Sequence, residues 1–330
     1  MSPRPAPIIE VQSLTKRFGD VQAVIDVDFD IAEGELFGFL GPNGAGKSTT
    51  INMLIGLARP DAGTIRIAGI DCTHHHKAAQ HLMGVVPDES NLYPELSGFD
   101  NLCFCGSLYG MKKRERNARA NELLDRFGLT QAGHRKFGGY SKGMKRKLTI
   151  AAGIIHSPAI LFMDEPSTGI DVGSARQIRS LVANLNADGT TVFLTTHYIE
   201  EAERLCQRIA FVVGGRIVRI DTIENLMRRT DGCHVVEFAV ADGAAALCAM
   251  IVAEWPNLRC KAVADGLISV KSPEPVRVGP LVRLLEERGA EVAEARKVQP
   301  SLEDVFVEIT GIEAGAMKLE KENPRKASTG

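Results

Sequence analysis

Through residue 230 the chain alternates short apolar runs with longer stretches whose apolar positions recur at helical spacing. The runs ELFGFL, AILFM and TVFLTT are rich in large apolar residues and are the clearest central strands. This alternation predicts an α/β fold with a mostly parallel sheet covered by helices. Residues 95–155 carry little strand pattern and several helix-like segments, ARANELLDRFGL among them, and read as a helical subdomain. The alternation resumes at Ala159. From about 233 the pattern becomes HVVEFAV, a helix-like ADGAAALCAMIVAEW, GLISVKS, PLVRLLEERGA and EVAEARKV, which predicts a separate small α+β domain. A last short helix follows, with Leu302, Val305, Phe306 and Ile309 on one face, Ser301 suited to cap it and Asp304 in its first turn. The expected organisation is a large domain over 1–230 with its helical subdomain at about 95–155, a small domain over 231–310, and a tail over 311–330 too poor in large apolar residues to order.

Composition narrows the function classes. Of the 330 residues 44% are apolar and 24% charged, enough for one large and one small core. The 39 Lys and Arg nearly balance the 41 Asp and Glu, so the basic excess that nucleic-acid binding draws on is missing, and no nucleic-acid partner is expected. No run approaches the roughly 18 apolar residues of a membrane span. MSPRPAPIIE lacks the apolar core of a signal peptide, and an odd number of scattered cysteines, seven, predicts a reducing compartment. Cys103 and Cys105 are two apart, a spacing that does not share a helix face, and His74, His75, His76 and His81 follow the strand-like TIRIAGIDC. Both sets are read as structural, the histidines as a solvated loop.

The chemistry begins at Gly41-Pro42-Asn43-Gly44-Ala45-Gly46-Lys47-Ser48, which matches the P-loop pattern between the strand ELFGFL and the helix STTINMLIGL that Thr49 continues. Glycines let successive N–H groups face phosphate oxygens, Lys47 reaches the β- and γ-phosphates, and Ser48 offers a hydroxyl to Mg²⁺. The strand AILFM ends at Asp164-Glu165, and in open α/β sheets ligands lie beyond the carboxyl ends of the strands. Asp164 is therefore expected to hold Mg²⁺ through water, and Glu165 to orient and deprotonate the attacking water. His197 ends the strand TVFLTT on the same sheet edge, placed either to sense the γ-phosphate or to serve as a structural strand-end histidine.

Ser141-Lys142-Gly143-Met144-Lys145, a helical run after it, and the Asp164-Glu165 strand follow in an order that resembles the ABC transporter ATPases over residues 8–230. Their LSGGQ signature stands here as YSKGM, their D-loop as Ser167-Thr168-Gly169-Ile170-Asp171, and their switch histidine as His197. The resemblance implies a P-loop NTPase core of the ABC ATPase type that binds and hydrolyses ATP with Mg²⁺. It implies a sandwich dimer, a homodimer or a paired ATPase subunit, in which Ser141, Gly143 and Asp171 contact ATP held by the other subunit. Phe18, in LTKRFGD, matches the aromatic residue that stacks on adenine; read from pattern alone it could instead fill the core of the N-terminal strands. Two positions depart from the pattern: Asp88 replaces the usual Gln after GVVP and is a possible metal contact, and Lys142 replaces a signature glycine. PSLEDVFVEITG looks like the C-terminal element of drug- and antibiotic-exporting systems with separate permeases. The resemblance thus implies the ATPase subunit of an exporter, peripheral on the cytoplasmic side of the membrane. Alternatives are an importer motor, a soluble ABC ATPase without a transport role, and an ABC-like subunit with impaired hydrolysis.

Overall fold

Two twelve-residue strands, β1 (Pro7–Phe18) and β2 (Val21–Ala32), form an antiparallel hairpin. They join β4 (Ala62–Ile67) and β5 (Ile70–Asp71) in a four-stranded sheet of order β2-β1-β4-β5. A second sheet has the order β10-β9-β3-β8-β7-β6. Its strands are β3 (Leu36–Leu40), β6 (Met83–Val86), β7 (Ile160–Asp164), β8 (Thr191–Thr196), β9 (Arg208–Val213) and β10 (Arg216–Thr222), and the five from β9 to β6 pair in parallel. The structure is a computed structural model and describes residues 7–229, 234–298 and 301–312; the tail expected to be disordered lies, from residue 313, outside the described residues.

Parallel strands need crossovers, and helices supply them. Helix α1 (Lys47–Leu54) follows β3, and α2 (Cys72–His75), a single turn, follows β5. The His74–His76 segment, expected as loop, therefore begins as helix because Asp71 caps it at Thr73 N. Between β6 and β7 lie three helices, α3 (Gly98–Leu108), α4 (Lys113–Arg126) and α5 (Lys142–Gly153). Ser97 and Ser141 accept N–H bonds at the starts of α3 and α5. Helices α6 (Val172–Ala187) and α7 (Ile199–Leu205) follow β7 and β8. Every residue of β3 and β8 is buried; β3 is apolar throughout, and β8 sets Val192, Phe193 and Leu194 between the buried threonines Thr191, Thr195 and Thr196. Phe29, Phe37, Phe39 and Phe193 meet between the two sheets with ring centroids 5.3–6.5 Å apart.

The second unit is Thr222–Gly311. The sequence pattern puts the change of architecture at 230/231; the unit begins earlier because α8 (Ile223–Arg229) contacts α11 (Leu302–Thr310). Strands β11 (His234–Val240), β12 (Arg259–Ala264), β13 (Leu267–Ser272) and β14 (Val292–Val298) pair antiparallel in the order β12-β13-β11-β14. With α9 (Ala244–Glu254) after β11 and α10 (Val278–Glu287) after β13, the unit is a βαββαβ arrangement of the ferredoxin-like kind. Val236, Phe238 and Ile268 of the sheet pack with Leu247, Ile251, Leu281 and Leu285 of the two helices. In α11, Leu302, Val305 and Phe306 are buried, and Ser301 and Asp304 form a reciprocal capping box.

Phe193 is fully buried and touches the rings of Phe29, Phe37, Phe39 and Phe162. Phe193→Ala should cost about 3–5 kcal/mol of stability. Urea unfolding measures it, and an unchanged midpoint would refute a central role for this cluster.

Candidate active site

The P-loop turns where it does because its neighbours leave room for nothing but glycine. A Cβ on Gly41 would lie 2.1 Å from the Val212 carbonyl oxygen at the end of β9, and one on Gly46 would lie 2.3 Å from the Ala23 carbonyl oxygen of β2. Gly46 also holds a left-handed φ of 97° as it caps α1. Gly215 N donates to the Ala45 carbonyl (3.1 Å), so the curl is held between β2 and the β9–β10 turn. The result presents the N-terminus of α1 with Lys47 at its first position and Ser48 and Thr49 behind it.

Strand register assembles the chemistry. Leu40 is opposite Thr196, Asp164 opposite Thr195, and Val86 opposite Met163, so the residues after β3, β8, β7 and β6 emerge along one edge. There Glu165, 6% exposed, meets Lys47 Nζ at 3.3 Å, and His197 Nδ1 at 2.5 Å. Thr168 Oγ1 donates to it at 2.9 Å. Burial alone would raise its pKa, but the hydrogen bond from His197, the charges of Lys47 and His197 and the Thr168 bond outweigh that and bring it down to about 2. Glu165 also sits at a φ of 50°, a left-handed conformation that costs a non-glycine residue about 1–2 kcal/mol. Lys47 donates further to the carbonyls of Gly41 (2.7 Å) and Pro42 (3.0 Å). Asp164 accepts from Thr195 Oγ1.

Ser141, Gly143 and Asp171 form a second cluster at the N-termini of α5 and α6. Asp171 caps α6 through Ser174 N (2.9 Å) and also takes the Ser174 hydroxyl (2.7 Å). These bonds hold its pKa below the usual value. A Cβ on Gly143 would lie 2.3 Å from Ser174 Oγ, so the signature turn packs directly on this cap. Phe18, at the end of β1, is 53% exposed with Lys16 Nζ 5.2 Å over its ring, and so does not fill the core. Asp88 is exposed, just beyond β6, and its carbonyl accepts from Arg146. Pattern reading missed Arg146, Thr168 and Thr195, whose hydrogen-bond partners at the site, apart from Thr168's, lie far along the chain.

Hard oxygens at Ser48 and Asp164 fit Mg²⁺, which is held by one or two protein ligands together with phosphates. No group of three or more His, Cys, Asp or Glu suited to a metal occurs among the described residues. His76 Nδ1 meets the Cys72 carbonyl at 2.9 Å, and Cys103 donates to Asn117 at 3.3 Å. Among the described residues no helix is long and apolar enough to cross a membrane.

Comparison with known proteins agrees with this geometry. The ABC transporter family profile matches residues 24–168. A daunorubicin resistance ATP-binding protein of Streptomyces coeruleorubidus is 37% identical over 310 residues, covering 92% of this chain and 96% of that one. The Nod factor export ATP-binding protein I of Rhizobium etli is 36% identical, with 92% and 94% covered, and the linearmycin resistance ATP-binding protein LnrL of Bacillus subtilis is 40% identical, with 71% and 75% covered. Among solved structures, an ATP-binding subunit of an ABC transporter superposes with a TM-score of 0.62 at 29% identity, covering 68% of this chain and 93% of that one. An ATP-binding cassette solved as a dimer in a post-hydrolysis state with ADP and Pi gives 0.61 at 28%, covering 65% and 98%.

The Glu165 carboxyl makes a pH prediction. Its folded pKa of about 2 lies below the ordinary 4.5, so the ionised group stabilises the fold above about pH 4.5, and that contribution fades as pH falls toward 2. The parent should lose stability relative to Glu165→Gln on acidification through this window. Unfolding free energies of both proteins from neutral pH down to about 3 test it, and a constant difference refutes it.

Proposed function

The chain belongs to the ABC transporter family of ATPases, and from that premise we propose that it drives export of a small molecule through a separately encoded permease. The observation that carries export is the reach of the similarity. Relatives named for drug resistance and for Nod factor export match over 92% of the chain, too much to be confined to the unit that ends at Asp221. The working unit is a pair of cassettes, a homodimer or this chain with a second ATPase subunit, peripheral on the cytoplasmic face of the membrane. A dimeric relative bound to ADP and Pi supports the pairing.

The backbone from Gly41 to Thr49 receives the phosphates, for which the curl and the α1 N-terminus are suited. Lys47 leaves the Gly41 and Pro42 carbonyls for the β- and γ-phosphates. Phe18, exposed at the turn of the β1–β2 hairpin, stacks on adenine. Ser48 and Asp164 would hold Mg²⁺, which when bound would supply charge neutralisation at the transferring phosphate. Glu165 takes the proton of the attacking water. In the resting arrangement the His197 hydrogen bond first, and the Lys47 charge after it, make it a weak base; engagement of Lys47 with phosphate would take away the second of these. His197 fixes the carboxylate through Nδ1 and leaves its other ring nitrogen to meet the γ-phosphate. Ser141, Gly143 and Asp171 contact the nucleotide held by the partner cassette. ATP then joins two subunits in the closed state alone, and that difference in binding is what shifts the equilibrium.

Lys47→Ala should abolish nucleotide binding in a folded protein; calorimetry showing undiminished affinity would sink the P-loop assignment. Glu165→Gln should keep ATP binding and slow hydrolysis by about 10²–10⁴, the scale of a lost general base. In inside-out vesicles carrying the chain with its permease, ATP should drive uptake of daunorubicin or a related drug. ATP-driven loss of the drug from such vesicles would reverse the direction assigned.

Asp88 adds a carboxylate that could meet the metal. If it does, Asp88→Gln raises the Mg²⁺ concentration needed for half-maximal hydrolysis, because a negative ligand is exchanged for a neutral one. Superimposable Mg²⁺ titrations of the two proteins would reject the contact.

A further inference from the structure

Arg146 projects from α5 into the space behind the strand ends and is 6% exposed. Its Nε donates to the Pro166 carbonyl (2.8 Å). Nη1 donates to the carbonyls of Pro87 and Asp88 (3.0 Å for the latter), and Nη2 to those of Asp164 and Glu165 (2.7 Å each). A guanidinium has five N–H donors and no more. All five are used, and every acceptor is backbone. Two of the carbonyls follow β6 and three sit where β7 ends, at the point where the sheet ladder no longer supplies partners. Leaving such buried carbonyls unpaired is costly, so the guanidinium replaces the ladder for both turns.

The site has a second peculiarity that the same side chain addresses. Glu165 holds the left-handed φ of 50°, and the conformation aims its carboxylate at Lys47 and His197. Its N–H is held by the Thr195 carbonyl (3.1 Å) and its carbonyl by Arg146, so both ends of the strained residue are pinned. Burial lowers the pKa of Arg146, and the charges of Asp88, Glu201, Asp164 and Glu165 around it raise it; the guanidinium stays protonated. A lysine offers three donors from one point and cannot span two turns.

We propose that Arg146 is a positioning residue for hydrolysis. Its guanidinium ties the Asp88 turn and the Asp164–Pro166 turn to helix α5, so that the Glu165 carboxylate is aimed only when α5 is seated against both. Ser141 and Gly143 lie at the N-terminus of that same helix. A nucleotide contact at the signature turn therefore moves a rigid rod whose next turn carries Arg146, and each cassette's hydrolytic carboxylate responds to the nucleotide held across the dimer. The inference rests on Glu165 activating the water, as proposed above.

The test uses the full-length chain and the variants Arg146→Lys, Arg146→Gln and Glu165→Gln, each checked for folding. A fluorescent ATP analogue gives nucleotide affinity, and turnover is measured at saturating ATP and Mg²⁺. Arg146→Lys should lose about 10- to 100-fold in kcat, the scale of a misplaced reacting group, with affinity changed by less than about threefold. Arg146→Gln should lose more. Unchanged kcat in both variants overturns the proposal, as does an equal fall of kcat and affinity, which is the pattern of a general packing defect. If Arg146→Gln fails to fold, Arg146→Lys decides alone. Glu165→Gln separates the two readings: hydrolysis surviving in it overturns the role of Glu165 and this inference with it. Loss there with a normal Arg146→Lys overturns the positioning role alone.

Discussion

Burying the Glu165 carboxylate is the constraint around which the first unit is arranged. A desolvated anion demands cations and donors, and here Lys47 comes from the P-loop, His197 from the end of β8 and Thr168 from the turn after β7, while Thr195 of β8 and Arg146 of α5 grip the main chain of Glu165. Removing Lys47, His197 or Thr168 leaves a buried charge short of a partner, which is far more damaging than losing a surface pair. The same arrangement is chemically poised. The cation that holds the carboxylate on the P-loop side, Lys47, stands at the N-terminus of α1, so one side chain joins the buried carboxylate to the P-loop.

That convergence is possible because the five central strands run parallel. Parallel pairing sends every carboxyl end to one edge, and apolar strands buried on both faces lock the register that sets residues 41, 88, 165 and 197 side by side. Close packing of the Phe29, Phe37, Phe39 and Phe193 rings holds the two sheets of the unit together beneath the loops. Glycine at 41 and 46 then admits the P-loop between β2 and β9, where any side chain would strike a carbonyl.

The Thr222–Gly311 unit follows a different logic. Its sheet is antiparallel and covered on one face by α9 and α10, so its strands show the alternation of half-buried surfaces and not the continuous apolar runs of the first unit. The length of the similarity to resistance and export relatives makes this unit part of the shared architecture.

Local chemistry was legible from the sequence. The P-loop is contiguous, its glycines, lysine and serine act at fixed offsets, and the strand before it and helix after it follow from short-range pattern. The carboxylates after AILFM and the capping box of α11 are local in the same sense. The helical segments between β6 and β7 also read from periodicity. What the tertiary structure alone decided is everything carried by contacts between distant residues. Arg146 reads as one basic residue in the run KRK, and its five carbonyls lie 18 to 59 residues away. The left-handed backbone of Glu165, the Thr195 bond to Asp164 and the exposure of Phe18 have no signature in residue type. The start of the second unit at Thr222 likewise depends on α8 meeting α11, about eighty residues later. Residue order specifies which groups are available; parallel register and packing specify which of them meet.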